Sequence, residues 1–331
     1  MKTKFVYVLA SSASDIYLEQ AIVSAWSLRY YNPEAHIFLI CDQDTRLLFN
    51  NGWQQEYLSL FNEIKICQYD DEQSLMERSR QMKTTLRSLI SGDFLYLDTD
   101  TIICRNLSYI DNFSFDIGFV LDHNCTFDKY MFREDVISQM KKDFNIEVSE
   151  EKEYYNGGMF YVKDTNIAHT FFAIWHKNWI YEKEHTSSMK DQPPLMKTNI
   201  DMGHVITEMN GEINCQIVAS IRHFHEASII HIYNNFLGKD KSVSPFHSLD
   251  TYRQIKEQGF SEEWKYKVTH FKEFFCSPSF VLGESNSKLW RKLNEDGYIL
   301  FLVRIIQKIQ KKRPLLFRML VKTIAFIGRF S

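Results

Sequence analysis

Asp98 and Asp100 are the pair whose type and spacing best suit chemistry in this chain. They close the apolar run Phe94-Leu95-Tyr96-Leu97, and Thr101-Ile102-Ile103 follows at once. Side chains alternate along a strand, so residues two apart project to one side wherever extended geometry persists. Two aligned carboxylates leaving a buried strand are costly unless a cation lies between them. A divalent metal carrying a phosphorylated ligand would meet that need, because hard cations take oxygen ligands. An ordinary polar turn is the plain alternative, since Asp and Thr are common turn residues.

Other residues could join the pair. Asn156-Gly157-Gly158 forms a polar corner opening the apolar strand Met159–Val162. Its glycines would either let the backbone approach a ligand closely or make a simple turn. Asp191-Gln192 precedes Pro193-Pro194, which predicts an extended course there. His231 sits inside Ile229-Ile230-His231-Ile232-Tyr233, with His223 and His225 as nearby rivals. Lys83 and Arg80 lie three apart, on one face of a helix ahead of the Asp pair. Ala10, Ser11, Ser12 and Asp15 follow the first apolar run, and Asp122 ends a later one.

These residues need elements to position them, and the apolar pattern supplies a frame. Strands are predicted at Phe5–Ala10, His36–Cys41, Glu63–Tyr69, Phe94–Leu97, Phe115–Leu121 and Ile229–Tyr233. Helical spacing covers Ile16–Tyr31, Ser79–Ile90 and Ala168–Trp179. Alternating strands and helices predict an α/β fold with a mostly parallel sheet. In such sheets ligands sit beyond the carboxyl ends of the strands. Ser11-Ser12, Asp42-Gln43 and Asp98-Thr99-Asp100 all fall at such ends.

Taken in order, Tyr96-Leu97-Asp98-Thr99-Asp100, Asn156-Gly157-Gly158, Asp191-Gln192 and His231 resemble the retaining glycosyltransferases of family 8. That family includes bacterial lipopolysaccharide galactosyltransferases and glucosyltransferases as well as glycogenin. The resemblance covers roughly residues 4 to 240. It implies a GT-A fold, a nucleotide-sugar-binding α/β domain. By this resemblance Asp98 and Asp100, with Thr99 between them, and His231 bind Mn²⁺ or Mg²⁺ bridging the diphosphate of a UDP-sugar. Imidazole suits Mn²⁺ better than Mg²⁺. Lys83, with Arg80, matches a basic residue facing the donor phosphates and sugar. Asn156, Gly157 and Gly158 match a segment beside the donor sugar, and Asp122 adds a sugar contact. Asp191 matches the holder of donor-sugar hydroxyls, and Gln192 lies near the reacting carbon but is too weak a nucleophile to act as one. Ala10, Ser11, Ser12 and Asp15 occupy the nucleotide end, where the family often has an acidic residue just after the first strand. Departing from the pattern, Asn234–Lys239 stands where the family ends in Lys-Pro-Trp, with Lys239 as the phosphate-binding cation. The implied reaction moves a galactosyl or glucosyl group to a glycan or glycolipid hydroxyl, with retention, in surface-glycan synthesis.

Three segments are expected: 1–240 as the catalytic domain, 241–297 as a helical acceptor-side extension and 298–331 as a basic tail. The chain of 331 residues carries a net charge of −3, which gives no case for nucleic-acid binding. That average hides the tail, which has no Asp or Glu while Arg304, Lys308, Lys311, Lys312, Arg313, Arg318, Lys322 and Arg329 flank helically spaced Leu, Ile and Met. Such a segment fits an amphipathic anchor on an anionic membrane, or a helical hairpin packed on the domain. Six scattered cysteines without a paired motif, and the lack of a signal-peptide core or spanning run, predict a reducing, cytoplasmic location on the inner membrane face. Two other functions compete. In a haloacid-dehalogenase-type phosphatase Asp98 would be the nucleophile, but that motif normally opens its domain. A non-catalytic sugar-nucleotide or glycan-binding module would need no intact set of acids.

Overall fold

In the computed structural model, runs rich in Val, Ile, Leu and Phe become the strands of a central sheet, as β-branched and aromatic residues favour. Residues 1–50, 52–70, 72–186, 188–217, 219–232 and 245–274 are described, with 305, 306, 308, 309, 312, 313 and 317 beyond them. Strands β1 (Lys4–Leu9), β2 (His36–Asp42), β3 (Glu63–Cys67), β4 (Phe94–Leu97), β6 (Ile117–Leu121), β7 (Tyr155–Val162) and β8 (Thr207–Glu208) take the order β3-β2-β1-β4-β7-β6-β8. Only β7 runs against its neighbours, β4 and β6. The other adjacent pairs are parallel. The fold is therefore the mixed α/β type with a mostly parallel sheet. A second sheet joins β5 (Thr101–Ile103), β10 (Ile229–His231) and β9 (Cys215–Gln216).

Strand alternation gives the main sheet two apolar faces. Phe5, Tyr7, Leu9, Leu95 and Leu97 pack to one side, with α1 (Tyr17–Tyr31) and the second sheet. Val6, Val8, Phe94, Tyr96 and Phe160 pack to the other, under α3 (Leu75–Thr84), α4 (Leu86–Leu89) and α6 (Asn166–Thr186). Both faces of β1 and β4 are buried, which is why these strands read as continuous apolar runs.

Three expectations change. Asn156-Gly157-Gly158 is not a corner: it lies inside β7, and neither glycine has a positive φ. Pro193-Pro194 does not extend the chain but starts α7 (Gln192–Asp201), since the first helical turn needs no amide donor. The helix expected over Ser79–Ile90 breaks at Thr85 into α3 and α4.

The chain divides into the compact units Met1–Cys276 and Ser277–Ser331. Within the first, the helices at Leu249–Gln258 and Glu262–Thr269 return to α1, where the Tyr31 hydroxyl donates to the Thr269 carbonyl at 2.7 Å. Lys239 and nearly all of segment 298–331 lie outside the described residues. Of that segment, Ile305, Ile306, Lys308 and Ile309 are helical, and the first three are exposed. No helix of the described residues is long and apolar enough to cross a membrane.

Candidate active site

β4 stops at Leu97, and Asp98-Thr99-Asp100 forms the turn into β5. The two carboxylates are thus gathered by a turn rather than by continued extension. Backbone bonds pin it: the Asp98 amide donates to the Gly158 carbonyl and the Ile232 amide to the Asp100 carbonyl, both at 2.8 Å. β10 pairs antiparallel with β5 so that His231 stands opposite Thr101. His231 Nε2 then lies 3.1 Å from Asp100 Oδ1. One ligand atom each from Asp98, Asp100 and His231 falls within 4.8 Å of the others. Among the described residues, His223 and His225 stay out of this group. The histidine side chain is 2% exposed and the Asp98 and Asp100 side chains 27% and 25%, so the cluster is walled on one side and open on the other.

The glycines of β7 make room for it. A Cβ on Gly158 would collide with the His231 ring and stand 2.8 Å from Asp98 Oδ2. A Cβ on Gly157 would meet Asp191 Oδ2 at 3.1 Å and Lys83 Nζ at 3.4 Å. These positions are bare because four functional side chains cross directly over the strand.

α3 supplies the cations. Lys83 is 2% exposed, reaches Asp191 Oδ2 at 2.6 Å and Asp98 Oδ1 at 3.7 Å, and lies 5.1 Å over the Tyr96 ring. Arg80 Nε approaches Asp191 Oδ1 at 3.6 Å. Burial alone would raise the Asp191 carboxyl, but Arg80 and Lys83 outweigh it and hold the group well below the usual carboxylate range. Asp191 in turn raises the Arg80 guanidinium against its own burial. The Tyr96 hydroxyl donates to Asp98 Oδ1.

On the far side lies a buried polar chain. Asn156 Nδ2 donates to Asp122 Oδ1 at 2.8 Å, and Asp122 Oδ2 accepts the Tyr130 hydroxyl at 2.8 Å. Asn156 Oδ1 accepts from the Gly158 amide and from Asn214 Nδ2, each at 2.9 Å. Asn214 Oδ1 stands 3.0 Å from His231 Nδ1. Gln192 Nε2 donates to the Tyr155 carbonyl at 3.0 Å, fixing the start of α7 on β7. Asn214 and Tyr130 escaped the sequence reading, and Tyr96 entered it only as the opening of the Tyr-Leu-Asp-Thr-Asp run. For Asn214 the signal was the alternation Glu212-Ile213-Asn214-Cys215-Gln216 before a strand, too short to stand out.

The first loop is placed by the β1–β4 register, where Tyr7 pairs with Leu97. Ala10, Ser11, Ser12 and Asp15 therefore leave the sheet along the same edge as the acid pair. Their polar groups largely serve one another: Ser11 Oγ donates to Asp15 Oδ1 at 2.5 Å and the Ser12 amide to Asp15 Oδ2 at 2.7 Å. Asp42, at the end of β2, is tied to Arg78 at 2.9 Å and caps the following helix.

Three carboxylates (Asp98, Asp100 and Asp191) surround two fixed cations, Lys83 and Arg80, and Asp122 adds a fourth carboxylate behind Asn156. That balance suits a divalent ion. The donor set suits one too, with two carboxylate oxygens and an imidazole nitrogen. A separate groove of about 540 Å³, lined by Tyr109, Phe113, Phe115, Glu208, Glu212 and Ser228 among others, sits at the other end of the β5–β10 pair.

No sequence-family model matches the chain, and no curated protein matches it. Among solved structures, it is similar to the apo form of mouse xyloside xylosyltransferase 1, with 9% identity and a TM-score of 0.48 over 70% of this chain and 98% of that one. It is also similar to the galactosyltransferase LgtC in complex with donor and acceptor sugar analogues, with 14% identity and a TM-score of 0.47 over 80% of this chain and 100% of that one. At that distance, activity has to be argued from the side chains themselves.

Proposed function

We propose that the chain is a metal-dependent glycosyltransferase of the GT-A type, resembling family 8, that moves a galactosyl or glucosyl group from a UDP-sugar to a hydroxyl of a glycan acceptor. The convergence of Asp98, Asp100 and His231 beyond the carboxyl end of β4, with Lys83 and Arg80 alongside, carries this reading. These three residues would hold Mn²⁺ or Mg²⁺. When bound, the ion offsets charge developing on the departing diphosphate.

The protein's own side chains do the rest. Lys83 and Arg80 add positive charge beside the leaving group, fixed in advance by burial. Asp191, kept ionised by them, accepts hydrogen bonds from donor-sugar hydroxyls, and Asn156 and Asp122 border the same space. Gly157 and Gly158 keep its floor flat. Gln192, anchored on Tyr155, bounds the reacting carbon without attacking it. Positioning then supplies much of the rate, and retention follows if the acceptor attacks from the leaving-group face with a diphosphate oxygen as base. Ser11, Ser12 and Asp15 border the nucleotide, and Lys239 would reach the diphosphate. The segment 298–331 would hold the enzyme on the cytoplasmic face of an anionic membrane, near a lipid-linked glycan acceptor.

Hydrolysis of UDP-glucose or UDP-galactose by the purified protein tests the reading. Slow, Mn²⁺-dependent release of UDP that is lost on Asp98→Ala is the expected result. Hydrolysis of a generic phosphomonoester with no activity on UDP-sugars would sink it.

A further inference from the structure

We infer that Asn214 is a positioning residue that fixes which nitrogen of His231 is presented to a metal. This rests on the metal reading of Asp98, Asp100 and His231. The reasoning starts from a group whose role is unambiguous. The Gly158 backbone amide can only donate, so the Asn156 atom 2.9 Å away is its oxygen. That oxygen also faces the Asn214 side chain at 2.9 Å, so Asn214 turns its NH₂ towards Asn156. The opposite atom of the Asn214 amide, its oxygen, is therefore the one 3.0 Å from His231 Nδ1. An oxygen there requires a hydrogen on Nδ1.

Nε2 is then the ring nitrogen turned towards the acid pair, 3.1 Å from Asp100 Oδ1. A cation held by Asp98 and Asp100 would meet that nitrogen, while Nδ1 keeps its hydrogen bond to Asn214. Metal-bound histidines commonly donate their other ring N–H to an outer partner that sets ring orientation and basicity. Asn214 has that place. It is fully buried, and its own carbonyl is held by Asn124 Nδ2 at 3.0 Å. The next residues, Cys215 and Gln216, pair with Ile230 and His231 in parallel register. The relay Gly158, Asn156, Asn214, His231 thus ties the donor-sugar side of the site to the metal side.

The test measures Mn²⁺ affinity from the free-ion electron paramagnetic resonance signal, with no substrate and no turnover. Asn214→Leu removes the acceptor for Nδ1–H at similar volume and is expected to weaken Mn²⁺ binding by about 10–100-fold. Asn214→Asp keeps the acceptor for Nδ1–H but sets an oxygen against Asn156 Oδ1, so it is expected to lower the melting temperature while binding Mn²⁺ within a few-fold of wild type. If the leucine variant does not fold, Asn214→Ala makes the same deletion without an added branch. A purely packing role lowers the metal-free melting temperature while leaving the affinity of the folded protein unchanged, and that result overturns the proposal. The metal reading fails separately: wild-type protein that takes up no Mn²⁺, or an Asp98→Ala variant that binds as well as wild type, sinks both.

Discussion

Glycine and lysine, not only the acids, define the site at the scale of single residues. Gly158→Ala pushes a methyl group into the His231 ring and against Asp98 Oδ2, so the site must open. We expect a loss of stability of about 1–3 kcal/mol, as for other overpacked positions, together with loss of Mn²⁺-induced thermal stabilisation. Gly157→Ala meets its nearest atoms at 3.1 Å and beyond and should cost less, which melting curves with and without Mn²⁺ would show. Lys83→Met leaves Asp191 buried with Arg80 as its remaining cation. Removing one partner of a buried pair costs about 3–5 kcal/mol, read as a shift in urea midpoint. A change within error would contradict the ion-pair role. The grouping of the acids with His231 was legible in the sequence because Asp-Thr-Asp closes an apolar run and ordered motifs follow it. Asn214 was not, since an asparagine gains meaning here only from two neighbours at remote sequence positions, Asn156 and His231.

Among the elements, β1 and β4 read correctly because burial on both faces leaves a plain apolar signature. The reading of Asn156-Gly157-Gly158 went wrong for a physical reason. Gly-Gly signals a turn locally, yet these glycines sit in β7 to let Lys83, Asp191, Asp98 and His231 pass over it. The same holds at Pro193-Pro194, where an extended signal and a helix start share one sequence. α6 carries a further consequence. Its Glu182 is fully buried, and burial, with Asp143 nearby, pushes the carboxyl up to about 7. The folded state therefore holds a proton that the unfolded chain releases near the usual carboxylate value. The associated stability is present below that value and is lost as pH rises through about 7, amounting to roughly 3 kcal/mol. Glu182→Gln keeps the acceptor for Gln139 Nε2 and should stabilise the protein at pH 8 but hardly at pH 4. Denaturant midpoints at the two pH values check this, and equal shifts at both would refute it.

For the whole molecule, the sequence predicted one edge of a mostly parallel sheet as the ligand side, and the register of β1, β4 and β7 brings the acids, glycines and first loop to that edge. The pairing of β10 with β5 was not legible, because a three-residue strand gains its partner only through the fold. Charge asymmetry gives one prediction at this scale. With eight basic residues and no acid over 298–331, the full chain should sediment with vesicles containing anionic lipid but not with neutral ones, and lose that binding as salt rises. A variant ending at residue 297 should stay in the supernatant, and equal binding by both would place the contact elsewhere. The central claim is that Asp98, Asp100 and His231 carry a metal that carries a diphosphate. Calorimetric titration of UDP tests it most directly. Binding should appear in Mn²⁺, vanish in chelator, and be absent in the Asp98→Ala, Asp100→Ala double variant under both conditions. UDP binding of equal strength with and without Mn²⁺, or undiminished in the double variant, would contradict the account.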